Sequence, residues 1–261
     1  MSDETPAKDA PDFDWVAIVE ATRPDDATRL QRIQALRLRQ TLARLQEWAA
    51  QTRLGATHAG PAAAFAVVSS QPTTPDALTD ALARLFLWIF NLDSSIDDQP
   101  ADRLGDPAWV DAVLRACAQS MLARISPIRP EQAIALGWAP LQMETTPAPD
   151  DDGGDDWPAR LSAAASVWLD EAVAEWKHAR HAAQWERILV EQLLACVGLM
   201  RQEFAWSALY RTQPTDARKG KLPTLDAYLD VAARTTGVHP AATLVCARIG
   251  PESEIWAHAQ P

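Results

Sequence analysis

Apolar side chains along much of this chain recur at steps of three and four residues. Between residues 25 and 51, Leu30, Ile33, Leu36, Leu38, Leu42, Leu45 and Trp48 follow that rhythm while Arg and Gln fill the intervening positions. This is the pattern of an amphipathic helix that starts at Asp25 or Asp26. Residues 55–74 hold more Gly, Pro, Ser and Thr around the apolar run AAAFAVV, which predicts a short helix between loops. Thr74-Pro75-Asp76 is a helix-start signal, and the segment from Asp76 to Asp97 stays apolar through LARLFLWIFNL. A further helix is expected from Pro107 to Ile125, ended by Pro127 and Pro130, followed by a short apolar stretch, EQAIALGWAPLQM. Residues 158–182 and 184–211 carry two more helical patterns, and Pro223-Thr224 caps another from Leu225 to Thr236, stopped by Gly237 and Pro240. No run alternates with the two-residue period of a strand. The expectation is an all-α chain of about seven to nine helices in a single bundle.

Composition supports that reading and narrows the classes of partner. Eleven Trp and only 10 Gly in 261 residues leave few tight turns, where ordinary usage would put Gly near roughly 7%. The net charge is −11, which argues against nucleic acid, because neutralising phosphates takes clustered Lys and Arg. The excess is local. Residues 1–14 carry five acids and one Lys, and residues 144–157 carry six acids and no base, so the two segments account for −10. The first reads as a disordered acidic tail and the second as a solvated loop inserted into a nearly neutral domain spanning 15–261. Cys117, Cys196 and Cys246 are far apart, odd in number and outside any CxxC spacing, which suits small buried hydrophobes in a reducing compartment. No basic-apolar leader and no long uninterrupted apolar run is present, so the expected protein is soluble and cytoplasmic, without a membrane span.

The segment richest in candidate chemistry runs from Phe86 to Asp98, where Asp93, Asp97 and Asp98 follow a very apolar stretch. At about 100° per residue, Asp97 lies about 40° from Asp93 around the helix, and Phe86, Ile89 and Phe90 lie within about 60° of it. One helix face therefore passes from aromatic to carboxylate, while Asp98 and Trp88 point elsewhere. Two carboxylates one turn apart suit Mg²⁺, a hard cation that completes its shell with water and substrate phosphates. Negative charge at a helix C-terminus also opposes the macrodipole, so these acids call for a counter-cation. The alternative is that they form the solvated end of a core helix.

ALARLFLWIFNLDSSID resembles the aspartate-rich helix of microbial class I terpene synthases, in which an aromatic-rich helix ends in a DDxxD motif. KLPTLDAYLDVAARTTGVHP is similar to that family's PTLxEYLxxRxxTxG segment, where an Arg senses the substrate diphosphate and a Gly marks a helix break. The resemblance implies a helical bundle that uses Mg²⁺ to ionise an isoprenyl diphosphate and cyclises the carbocation. It implies Asp93 and Asp97 as metal ligands, Arg234 and Gly237 beside the diphosphate, and Phe86, Ile89, Phe90 and Thr236 against the substrate.

Several positions depart from the family pattern. Ser94 stands where the second Asp of the motif falls, and Ala233 holds the usual Arg position, with Arg234 one residue nearer Gly237. No N-x-x-x-S-x-x-x-E pattern follows Gly237, and Asn91 is the only Asn in the chain. The expected bundle is therefore incomplete at its C-terminus, and the alternative is a non-catalytic relative that binds isoprenoids or other proteins. Trp168, Trp176, Trp185 and Trp206 read as core packing. His178 and His181 read as surface residues, as do the pairs Glu171/Glu175 and Glu186/Glu191, with Lys177, Arg180 and Arg187 as local partners. Arg218, Lys219 and Lys221 form a small basic loop that reads as exposed.

Overall fold

A computed structural model of the chain describes residues 29–70, 74–97, 106–124, 156–177, 181–212, 214, 216 and 220–249. Among the described residues there are eight α-helices and no strand. They are α1 (Arg29–Thr52), α2 (Ala59–Val68), α3 (Asp76–Asp97), α4 (Pro107–Leu122), α5 (Trp157–Ala174), α6 (Ala182–Thr212), α7 (Leu225–Thr235) and α8 (Val238–Ile249). The all-α expectation is met. The 1–14 tail, the start of the first helix, the EQAIALGWAPLQM stretch and Asp98 lie outside the described residues.

Three helix starts follow directly from local chemistry. The carboxylates of Asp106 and Asp156 accept from the amides of Ala108 and Ala159, and the Thr224 hydroxyl accepts from Ala227. Each cap satisfies an amide that has no partner within its helix, typically worth about 1 kcal/mol. Asp156 and Trp157 thus open α5, so the acidic stretch expected over 144–157 gives way to helix at Asp156, with 144–155 outside the described residues. Gly237 and Pro240 also act differently from expectation. The chain breaks at Gly237 but coils again at once, and Pro240 sits in the first turn of α8, where its missing N–H has no helical acceptor to lose.

The most apolar helix, α3, sits at the centre. Leu82, Leu85, Leu87, Trp88 and Leu92 are fully buried, and α3 packs against α1, α2, α4, α5, α6 and α8. Burial on all sides explains why its sequence is apolar around most of its circumference. Two indoles of this core are paired across helices: Trp88 Nε1 donates to the Leu161 carbonyl at 3.0 Å, and Trp168 Nε1 to the Ala81 carbonyl at 2.8 Å. Both bonds tie α3 to α5. Helix α1 runs beside α3 in the same direction, joined first by Arg37 and Asp76, then by the two-bond pair of Arg44 with Asp80 at 2.7 and 2.9 Å. Asn91 continues this line by donating to the Gly55 carbonyl at 3.2 Å, which fixes the turn leading into α2.

Other acids prove more structural than their sequence pattern suggested. Glu171 pairs with Arg84 of α3 at 2.7 Å, and Arg124 bridges Asp170 and Glu186 at 2.7 and 3.1 Å. These ion pairs span helices, whereas Arg187 and Glu191 form the within-helix pair expected from their spacing. Cys117 and Cys196 are buried and Cys246 is half-buried, all three as free thiols. No described helix is long and apolar enough to cross a membrane.

Candidate functional site

A cavity of about 770 Å³ opens between α2, α3, α6, α7 and the start of α8. Helix α3 contributes Phe86, Ile89, Phe90, Asp93 and Ile96, at the three- and four-residue steps of one helix face. The face read from the sequence as running from aromatic to carboxylate is therefore a cavity wall. Phe65 of α2 completes an aromatic cluster with it, its ring centroid 5.8 Å from those of both Phe86 and Phe90. Phe86 and Phe90 stack at 6.3 Å.

The opposite wall comes from α6 and α7. Met200, Glu203, Phe204 and Ser207 face the cavity from one side of α6, with Trp206 beside them. Tyr228, Thr235 and Thr236 face it from α7 and its end, and the Trp206 and Tyr228 rings meet at 6.5 Å. Trp168, Trp176 and Trp185 are core residues as expected, but Trp206 lines the cavity instead.

The two segments singled out in the sequence meet at Gly237. This residue has φ +76°, and a Cβ built on it would lie 2.3 Å from Cδ1 of Ile89. Only Gly accommodates both the left-handed backbone and so close an approach. The break between α7 and α8 is thereby pressed against the aromatic face of α3. Behind it, the Cys196 thiol donates to the Thr235 carbonyl at 3.2 Å. Burial pushes this thiol up to about 12, Glu203 and Asp93 act in the same direction, and the Gly237 amide opposes them. Cys196 thus acts as a protonated donor that ties α6 to the end of α7.

Of the expected site residues, Phe86, Ile89, Phe90, Asp93 and Thr236 are brought together on this one cavity, with Gly237 buried directly behind the wall. Arg234 is half-buried in the last turn of α7 but does not line the cavity. Asp97 ends α3, and its side chain is outside the described residues. Ser94, at the altered position of the aspartate motif, bonds to Nε2 of His58 at 2.8 Å. His58 also meets Phe90 edge-on at 6.2 Å.

Glu203 is the site residue that the sequence reading missed. Its signal was present: at three residues past Met200 and one before Phe204, it places a carboxylate inside an apolar stripe. Asp93 and Glu203 are the two carboxylates on the wall among the described residues, and the exposed Asp93 offers hard oxygen donors to a cation. No group of three His, Cys, Asp or Glu side chains able to hold a metal occurs among the described residues. Of the remaining surface readings, His181 is exposed, whereas His178, Arg180, Arg218 and Lys219 are outside the described residues.

Fold and site together define an all-helical protein with an aromatic cavity that carries two carboxylates. No protein-family model, curated protein or solved structure matches the chain.

Proposed function

We propose that the cavity receives the hydrocarbon of an isoprenyl diphosphate with the diphosphate at the Asp93 end, and that the protein is a Mg²⁺-dependent class I terpene synthase. The supporting observation is that residues of both family-like segments, Phe86 to Asp93 and Thr235 to Val238, line one cavity. Its volume of about 770 Å³ falls within the range of roughly 300–1,000 Å³ usual for small-molecule sites.

In this reading the residues divide the work by chemistry. Phe65, Phe86 and Phe90 present ring faces and edges along the substrate chain, where aromatic quadrupoles stabilise passing positive charge. Ile89, Ile96 and Met200, all buried, keep the inner wall apolar, which disfavours the water that would quench a carbocation early. Asp93, exposed at the end of this face, holds the head group through its cation. The donor chemistry fits Mg²⁺ in the form that arrives with a diphosphate, since Mg²⁺ is commonly bound through one or two carboxylates plus phosphate and water. When bound, Mg²⁺ supplies the positive charge that stabilises the departing diphosphate. Arg234 has no part in this scheme, because it is off the wall.

A second reading, an isoprenoid-binding protein without turnover, draws on the Ser94–His58 bond. That bond gives a motif position a structural partner in place of a second carboxylate. One experiment separates the two. The full chain is incubated with Mg²⁺ and C10, C15 or C20 isoprenyl diphosphates, and diphosphate release, hydrocarbon products and ligand binding are measured. The synthase reading expects release that EDTA abolishes and that Asp93→Ala lowers by about 10²-fold or more, in line with the loss of a main electrostatic contact. Binding without release leaves the second reading. Equal activity in Asp93→Ala removes Asp93 as the metal ligand, and absence of binding removes both.

A further inference from the structure

We propose that Glu203 is the proton acceptor that ends the reaction in this cavity, an inference that rests on the synthase reading above. Glu203 occupies an inward position of α6, where Met200, Glu203, Phe204 and Ser207 share the face that lines the chamber. It is half-buried, whereas Asp93 is exposed, so Glu203 is the more sheltered carboxylate. Its neighbours on that face are apolar or hydroxyl-bearing. The uncharged polar groups on the wall are the hydroxyls of Ser69, Ser207, Tyr228, Thr235 and Thr236, which accept protons far less readily than a carboxylate, and the Trp206 indole, which only donates.

The placement has a physical logic. A carboxylate on the wall of an aromatic chamber attracts the positive charge of a substrate carbocation that forms beside it. Ionisation comes first: the C–O bond to the diphosphate breaks and its electron pair leaves with the oxygen. The cation then rearranges against the aromatic wall. A hydrogen on the carbon next to the cationic centre is strongly acidic, and a Glu203 oxygen takes it as a proton. The C–H electron pair becomes the π bond of a new C=C, the product is a neutral olefin, and the carboxylic acid formed returns its proton to solvent after release. Because the proton leaves after diphosphate does, Glu203 acts on which product forms rather than on whether ionisation occurs.

The test uses the full chain and its Glu203→Gln and Glu203→Asp variants, with folding checked by circular dichroism. Each is incubated with Mg²⁺ and the C10, C15 and C20 isoprenyl diphosphates, and released diphosphate and the product mixture are measured together. Glu203→Gln is expected to keep diphosphate release within about threefold of wild type while the principal olefin falls about tenfold or more relative to alcohols and isomeric alkenes. Glu203→Asp is expected to recover part of the original olefin, because it restores a carboxylate. Diphosphate release with an unchanged product mixture in Glu203→Gln overturns the role of Glu203 and leaves the synthase reading intact. Loss of release and product in parallel in Glu203→Gln also overturns it, by moving Glu203 to ionisation. Absence of release in wild type overturns the synthase reading and this inference with it.

Discussion

Replacing Gly237 by Ala tests the contact on which the site's geometry turns. Two costs arise at once. The backbone has φ +76°, a left-handed conformation that costs a residue with a Cβ about 1–2 kcal/mol. The new Cβ would also lie 2.3 Å from Cδ1 of Ile89, well inside the roughly 3.5–4.0 Å at which two carbons rest. Ile89 is only 3% exposed and lines the cavity, so the strain is relieved by turning its terminal methyl into that volume or by moving the helix break away. Overpacking of this kind costs about 1–3 kcal/mol, and the sum predicts a destabilisation of about 2–5 kcal/mol for Gly237→Ala. Urea unfolding with an unchanged slope reads this as a fall in midpoint.

The double variant Gly237→Ala, Ile89→Val separates the two costs. Ile89→Val removes the clashing Cδ1 and by itself costs about 0.5–1.5 kcal/mol. If the clash is real, the double variant loses less than the sum of the single losses by about 1–3 kcal/mol, leaving mainly the backbone term. A Gly237→Ala protein within about 0.5 kcal/mol of wild type, or strictly additive losses in the double variant, would refute the Ile89–Gly237 contact.

Alkaline stability follows from the buried thiols. Burial holds Cys117 and Cys196 at about 12 against an ordinary 9.0, so the folded protein retains protons that the unfolded chain gives up. That contribution is complete below about pH 9 and is lost as pH rises towards about 12, at up to about 1.4 kcal/mol per pH unit for each thiol. Cys117→Ala should flatten the fall of stability between about pH 9 and 11 in urea titrations, and an unchanged slope would contradict it. The indole bonds make a ranking: Trp88→Phe leaves the Leu161 carbonyl without its donor and should lose about 1–3 kcal/mol more than Trp176→Phe. Trp176 Nε1 is buried with no hydrogen-bond partner among the described residues, so its removal strands nothing there. The reverse order in urea unfolding would sink the argument.

The helices were legible because their signals are local. Period, caps and Pro positions located α2, α3, α4 and α7 closely, and the face of α3 that became a cavity wall follows from residue spacing alone. What escaped depends on partners distant in the chain. Glu171 and Glu186 looked like solvated helix positions because nothing nearby in sequence names Arg84 and Arg124 as their partners. Trp206 looked like the core tryptophans, and only its meeting with Tyr228 of α7, distant in the chain, places it beside the cavity. Arg234 fails to reach the wall for a related reason. On a helix that ends in a break, one residue of displacement rotates a side chain by about 100°, and Thr235 and Thr236 take the inward places instead.

Ser94 shows how a departure from a family pattern can acquire its own structural use. Its hydroxyl bonds to His58 at the entry to α2, one turn beyond Asn91, which bonds to Gly55 in the same connection. Two polar side chains of α3 thus hold the α1–α2 turn against the aromatic face, and the His58 ring is kept edge-on to Phe90. An Asp at position 94 would therefore do more than add a carboxylate, since it would meet His58 and change what orients the ring beside the cavity. The weight of the metal assignment falls on Asp93, which faces the cavity one turn from Phe90 and Ile89 on the same helix face. The two wall carboxylates differ in setting: Asp93 at the end of α3 is exposed, whereas Glu203 on α6 is half-buried, so in the proposed reading Asp93 is the one suited to the hydrated Mg²⁺ of a diphosphate.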